Sequence, residues 1–316
     1  MNKEISPKIL IIGGEGFIGS SLILALQDKD KIICLDKGSR YSEFKKLINN
    51  NVKLIKGDIT NEALLDNLVR NCYAIIHLAG GGGNSACLND PIWAVRTHVL
   101  GTHLLLEKAL KYKVKKFIFI SSKFVYTTFH KRDFLLKENM RLEPDDFYGT
   151  LKKVAEDLVL NSEINYFILR LANVYGNSEL YPIQEGGAVN NFIKSAFNKE
   201  KLQIYGSGKQ RIDYIHLKDV VKAIVLVLKK NSQREIYNIG SGKLIQIEGI
   251  AKIINDIFRD KFKQEVKIKK IPASSDKIWP DHLMSTKKIK KDLDWNPKIS
   301  LKRGLEKMIN NYPTKK

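Results

Sequence analysis

The chain has 316 residues, 43% hydrophobic and 28% charged, a balance that supports a large buried core and excludes a disordered chain. Its 54 Lys and Arg against 34 Asp and Glu leave a formal charge of +20, which favours anionic partners. The cations are scattered as pairs such as Lys45-Lys46 and Lys269-Lys270, with no Arg-rich tail or aromatic-interleaved stripe, so a solvated surface and no nucleic-acid partner are expected.

Short β-branched runs alternate with stretches of helical period, the pattern of βαβ units in an α/β, doubly wound parallel sheet. In chain order the pattern predicts a strand at Lys8–Ile12, a helix over Phe17–Gln27, strands at Lys31–Leu35 and Val52–Lys56, and a helix over Asn61–Val69. A strand at Ala74–Leu78, a long helix over Ile92–Tyr112, a strand at Phe117–Ile120, a helix over Phe147–Asn161 and a strand at Tyr166–Leu171 follow. From about Asn177 the pattern is irregular: Pro182, Gly186 and Gly187 precede a helix near Val189–Asn198, a strand near Leu202–Tyr205 and a Gly206-Ser207-Gly208 turn. A helix over Lys218–Lys230 with an acidic first turn and a strand at Ile236–Ile239 resume the earlier pattern. Last come a helix over Ile247–Phe258, a strand at Glu265–Ile271, helices near Thr286–Leu293 and Leu301–Asn310, and a frayed tail from Pro313 to Lys316. The division expected is a larger domain, residues 1–176 rejoined by 213–242, interleaved with a smaller lobe from 177–212 and 243–312.

Cys34, Cys72 and Cys87 form no C-x-x-C pair, which points to neither a disulfide framework nor a metal site. No apolar run is long enough to span a bilayer, and Met1–Lys8 leads straight into a short apolar run. A soluble cytoplasmic protein in a reducing compartment is the expectation.

The first strand runs into Gly13-Gly14-Glu15-Gly16-Phe17-Ile18-Gly19. Glycines at 13, 16 and 19 allow a tight turn, close approach to a pyrophosphate, and packing of the helix whose N-terminus offers free N–H groups to phosphate. The next strand ends at Asp36, placed to accept hydrogen bonds from an adenosine ribose diol and to repel a 2′-phosphate. NAD is therefore expected, with Lys37 and Arg40 keeping NADP open. Asp58 and Ile59 after the third strand suit the adenine end, although Asp58 reads almost equally well as a helix cap. Leu78, Ala79 and Gly80 lie where the chain passes beneath the nicotinamide half.

Tyr148 and Lys152 stand one helical turn apart on one face. A cation held beside a phenol lowers its pKa toward neutrality, fitting Tyr148 to exchange a proton with a sugar hydroxyl. Ser121 and Ser122 end the fifth large strand, where ligand crevices open in such sheets, so Ser122 can meet the same oxygen.

These motifs, with Gly101-Thr102, Val125-Tyr126, Arg170, Asn173-Val174-Tyr175-Gly176, Ile204-Tyr205-Gly206, Tyr237-Asn238-Ile239-Gly240 and Trp295…Pro297 in order, resemble the extended short-chain dehydrogenase/reductases, the NAD-dependent nucleotide-sugar epimerases and dehydratases, over nearly the whole chain. The resemblance implies a Rossmann-type NAD-binding domain, a lobe that closes over a nucleotide-diphosphate sugar, and a homodimer through Ile92–Tyr112 and Phe147–Asn161. It implies Tyr148 as base, Lys152 on the nicotinamide ribose and Ser122 as hydrogen-bond partner. Asn173 would meet the diphosphate, with Val189, Asn190 and Tyr205 at the nucleotide and Arg211 near its phosphates. In the epimerase version Tyr148 takes the 4-hydroxyl proton as hydride passes to NAD, and hydride returns to the other face of the ketone. A 4-ketoreductase that consumes NAD(P)H would use the same residues. A non-catalytic nucleotide- or RNA-binding protein is the remaining alternative.

The chain departs from the family pattern in places. Members that dehydrate across sugar carbons 5 and 6 follow the Ser122 position with an Asp and a Glu; here Lys123 and Phe124 stand there, which disfavours 4,6-dehydration. Gly80–Gly83 replaces a segment that usually bears side chains, leaving room for a sugar substituent or a mobile loop. His98 takes the place of a cofactor-contacting Asn, or is a satisfied core histidine. Trp279 and Trp295 read as packing residues.

Overall fold

The computed structural model describes residues 8–126, 134–182, 187–231, 234–272 and 281–313. Gly186, Trp279 and residues 314–316 of the expected tail lie outside them. The strands are β1 (Lys8–Ile12), β2 (Lys31–Asp36), β3 (Val52–Lys56), β4 (Cys72–His77), β5 (Lys116–Ser122), β6 (Phe134–Leu136) and β7 (Tyr166–Leu171). After them come β8 (Asn173–Tyr175), β9 (Leu202–Tyr205), β10 (Arg211–His216), β11 (Glu235–Ile239), β12 (Leu244–Gln246), β13 (Ile268–Ile271) and β14 (His282–Met284). The α-helices are α1 (Phe17–Leu26), α2 (Tyr41–Lys45), α3 (Glu62–Val69), α4 (Gly83–Asn89), α5 (Pro91–Val95) and α6 (Gly101–Lys111). They continue with α7 (Phe147–Leu160), α8 (Ala188–Phe197), α9 (Leu217–Lys229), α10 (Ile247–Phe262), α11 (Lys287–Leu293) and α12 (Leu301–Asn310).

Seven parallel strands form the main sheet in the order β11-β7-β5-β4-β1-β2-β3. The order reverses between β1 and β4, and the crevice beyond the carboxyl ends of those strands is where a doubly wound sheet binds ligand. Every residue of β5 and β7 is buried, as expected of strands covered on both faces. Ile9 and Ile11 pack with α1 and α9, while Leu10 and Ile12 face α3, α6 and α7, the two-residue alternation of a pleated strand.

A third core, built on Val189, Phe192, Ile204, Ile250, Ile254 and Leu305, belongs to the smaller lobe. Membership cuts across the expected boundary, because Met284, Ile289 and Trp295 join the core of the main sheet. The cause is local: β14 pairs with β6 and β10, and the Trp295 indole N–H donates to Asp219 O at 3.2 Å. Trp295 is thus the packing residue it was read to be.

The helix expected over Ile92–Tyr112 is present as one continuous helical stretch, Pro91–Lys111, with a π turn inside it. That turn, Arg96–Leu100, joins α5 to α6 and carries His98, a departure that 3.6-residue periodicity does not register. Elsewhere boundaries shift by a few residues: α10 runs on to Phe262, and β13 begins at Ile268 rather than Glu265. Among the described residues no helix is long and apolar enough to cross a membrane, and no group of three or more His, Cys, Asp or Glu could hold a metal ion.

Candidate active site

At the switch point Gly13 N–H donates to Leu35 O at 2.9 Å. Gly13 has φ +79°, and a Cβ there would stand 2.8 Å from Ala79 N, so the turn and the chain leaving β4 touch backbone to backbone. Helix α1 begins on Gly16 with no side-chain cap and no acidic residue in its first turn, which leaves its positive end available to an anion. The cleft above it holds about 830 Å³, room for a dinucleotide and more. It is lined by Gly13, Gly16, Phe17, Ile18, Gly19, Asp36, Lys37, Ile59, Leu78, Ala79 and Gly80, and by Ser121, Ser122, Tyr148, Lys152, Asn173, Val189 and Asn190.

The Asp36 carboxylate accepts Glu15 N–H at 3.0 Å and Lys37 N–H at 2.7 Å, and burial raises its pKa above the ordinary value. Glu15, missed in the sequence, is 1% exposed and accepts Arg40 N–H at 3.0 Å. Tyr181, also missed, donates its hydroxyl to Glu15 O at 2.7 Å. Of the two cations that kept NADP open, Lys37 lines the cleft and makes an exposed 3.7 Å pair with Asp58, while the Arg40 guanidinium sits 4.5 Å from the Tyr181 ring centre. Asp58 does not line the cleft. Its carboxylate accepts Thr60 N–H and Oγ–H, both at 2.8 Å, and so serves the turn before α3, whose cap is Asn61.

Residues from β5 and α7 make a further part of the cleft wall. Asp146 caps α7 by accepting Gly149 N–H at 2.7 Å, which fixes Tyr148 and Lys152 over the end of β5. A buried ion pair anchors the helix: Arg170 Nε and Nη2 donate to Glu156 at 2.7–3.1 Å, and Arg170 Nη1 donates to Tyr126 Oη at 2.8 Å and Glu138 O at 3.0 Å.

In the cleft without a ligand, the expected lowering of the Tyr148 pKa by Lys152 is outweighed by burial. Burial pushes the phenol above its ordinary value, opposed by the Ser122 hydroxyl within hydrogen-bonding reach. The Lys152 ammonium donates to Ile120 O at 2.9 Å and lies 5.9 Å from the Tyr148 ring centre, and burial lowers its own pKa to about 8. Without a ligand the phenol is therefore neutral.

His98 is buried with Nε2 3.9 Å from Cys87 Sγ, its ring edge-on to Tyr148 at 5.7 Å. Its Nδ1 finds no partner among the described residues, so it is not a satisfied core histidine. Ser121 Oγ and Asn173 Oδ1 are likewise buried and unpartnered. Both residues line the cleft, and a bound polar ligand would satisfy them.

A second cavity of about 380 Å³ adjoins the first, sharing Lys123, Phe124, Asn173 and Gly187 with it. Tyr205, 60% exposed, lines this cavity and not the main cleft. Arg211 lines neither: its Nε and an Nη hold Asp281 at 2.8 and 2.7 Å, drawing the guanidinium away from the phosphate role implied for it.

A parallel sheet with a dinucleotide-sized cleft at its switch point, and Ser, Tyr and Lys converging beside it, defines a Rossmann-type extended short-chain dehydrogenase/reductase. Residues 9–240 match the NAD dependent epimerase/dehydratase family, and the chain belongs to it. A dTDP-D-glucose 4,6-dehydratase of Dictyostelium discoideum is 33% identical over 275 residues, 78% of this chain, which spans 62% of that relative's length. The crystal structure of UDP-glucose 4-epimerase from Thermotoga maritima with UDP-glucose is 28% identical, with a TM-score of 0.85 over 96% of this chain and 98% of that one. UDP-glucuronic acid 4-epimerase from Bacillus cereus, solved with UDP-glucuronic acid and NAD, is 26% identical with a TM-score of 0.83 over 96% and 98%.

Proposed function

We propose that this protein is an NAD-dependent nucleotide-sugar epimerase acting at C4 of the sugar. The observation that carries the reading is the meeting of Ser122, Tyr148 and Lys152 at the wall of a cleft that the uncapped, glycine-bearing start of α1 also lines. Bound there, NAD supplies a reversible hydride acceptor. The α1 N-terminus holds its pyrophosphate, and Asp36 its adenosine ribose. The Asp36 and Glu15 carboxylates, and the packing of the Arg40 guanidinium on Tyr181, support NAD over NADP.

Tyr148 Oη carries the proton to and from the sugar hydroxyl, with Ser122 Oγ as its second hydrogen-bond partner. The phenol reaches its ionised form only when positive charge arrives beside it, which ties proton transfer to a loaded site. Lys152 supplies part of that charge from the same helix face. Lys123 and Phe124 offer no carboxyl group, which supports isomerisation over 4,6-dehydration despite the kinship to a dehydratase.

A homodimer is part of the reading. Leu88, Ile92, Val95 and Leu100 are 57%, 74%, 42% and 41% exposed along α4, α5 and the π turn, an apolar strip on the helical surface expected to pair. The three free, buried cysteines suit a cytoplasmic setting.

Incubation with UDP-, dTDP-, GDP- and CDP-sugars tests the reading. Interconversion of two epimers without net change in cofactor absorbance is expected, and Tyr148→Phe should abolish it while keeping NAD. Consumption of NADH or NADPH in proportion to product identifies a ketoreductase instead; full turnover by Tyr148→Phe overturns the mechanism.

A further inference from the structure

The described residues include four lysines with almost no exposure: Lys108, Lys116, Lys123 and Lys152. Three have evident partners. Lys108 pairs with Glu107 and Glu62, Lys116 donates to Leu228 O and Lys230 O, and Lys152 donates to Ile120 O. Lys123 is 8% exposed, yet among the described residues its ammonium has neither a hydrogen bond nor an ion pair. Its neighbours are the Phe124 ring, 5.2 Å from Nζ, and the charge of Asp213. Asp213 is already occupied, because its oxygens accept Ser241 N–H and Oγ–H, Gly242 N–H and Met284 N–H. A largely buried lysine whose ammonium opens on the cleft without its own counter-charge is suited to an anion on a ligand.

Its place says which part of a ligand that is. Lys123 follows Ser122 directly and opens the short turn Lys123–Val125 against α7. It lines both the catalytic cleft and the adjoining cavity. Ser122 and Lys123 line the same cleft, so an anion that meets this ammonium there belongs to the part of the ligand held at the catalytic wall. On a nucleotide-linked hexose reacting at C4, the ring substituent beside that carbon that can itself be an anion is C6, as the carboxylate of a uronic acid. We propose that the substrate is an acidic nucleotide sugar with a carboxylate at C6, and that Lys123 pairs with that carboxylate. The inference rests on the nucleotide-sugar reading above and narrows its substrate class.

Calorimetric titration of the NAD-loaded protein tests it, with UDP-glucose against UDP-glucuronate, dTDP-glucose against dTDP-glucuronate, and UDP and dTDP alone. In at least one pair the acid should bind about 10- to 100-fold more tightly than the neutral sugar, the span of a hydrogen bond to a charged group. Lys123→Met should erase that preference without lowering the melting temperature. Equal binding of acid and neutral sugar, or no binding of either acid, overturns the proposal. So does a Lys123→Met variant that weakens UDP or dTDP alone as much as the acids, because the ammonium then serves the diphosphate. An acid sugar that binds through Lys123 but is not epimerised leaves this inference standing and overturns the epimerase reading.

Discussion

A Cβ added to Gly80 would lie 2.4 Å from Cε1 of His98. The imidazole has nowhere to retreat, being held between the rings of Trp93 and Tyr148 with Cys87 Sγ at 3.9 Å from Nε2. Gly80 also has φ +93°, a conformation that L side chains resist. The first glycine of the Gly80–Gly83 run is therefore explained by the histidine beneath it, while a Cβ on Gly81 would meet nothing within 4 Å. Gly80→Ala should cost about 2–4 kcal/mol of stability, combining backbone strain with overpacking. Gly81→Ala should stay within about 0.5 kcal/mol. Urea unfolding of the two variants checks this, and an undiminished midpoint for Gly80→Ala would show that the His98 contact is not tight.

His98 also makes the protein sensitive to acid. Burial lowers the pKa of His98 to about 2, of His77 to about 3 and of His216 to about 4, from an ordinary 6.5. Each binds fewer protons folded than unfolded between those limits, so its contribution is complete above pH 6.5 and is lost as pH falls toward the folded value. Stability should drop between pH 6.5 and 5, each histidine accounting for about 1–2 kcal/mol at the lower end. His98→Gln, which cannot titrate, should flatten that slope. Chemical denaturation at several pH values is the measurement; an unchanged slope would remove His98 from the account.

The glycine turn, Asp36 and the Tyr148–Lys152 pair were legible because each depends on local spacing, and local spacing is what a sequence displays. The state of the phenol was not. Four residues on a helix place two side chains near one another, but the direction of the Lys152 ammonium depends on the Ile120 carbonyl, which β5 brings from 32 residues away. Arg211 failed for the same reason, since its partner Asp281 is 70 residues on. The long helix over Ile92–Tyr112 was legible but the π turn inside it was not, because that turn leaves the apolar pattern continuous while adding a residue. Elements as short as β8, β12 and β14 carry too few positions for any period to show.

Asp36 bears on cofactor choice. Its oxygens accept the backbone N–H groups of Glu15 and Lys37, with Gly38 N–H a further donor, and the residue lines the cleft where a ribose hydroxyl would meet it. Asp36→Ala should weaken NAD by about tenfold or more, the effect of losing hydrogen bonds to a charged acceptor, and weaken NADP much less. Fluorescence titration with each dinucleotide gives the ratio. Equal losses would remove Asp36 as the selector.

Glu156 controls the catalytic helix from below. It sits one turn past Lys152 on α7 and is fully buried with Arg170 of β7. Glu156→Gln leaves the guanidinium buried without its counter-charge, at a cost of about 3–5 kcal/mol. The loss should not stop at stability, because α7 holds the Lys152 ammonium on Ile120 O and Tyr148 against Ser122. Replacing both partners by Glu156→Leu with Arg170→Met removes the unpaired charge and should recover much of the stability. Recovery stays partial, because Tyr126 Oη and Glu138 O lose their donor. Urea midpoints and turnover of the single and double variants separate the two effects. If turnover returns in full with stability, the ion pair acts through folding alone; if turnover stays low in a stable double variant, Arg170 and Glu156 also set the position of α7.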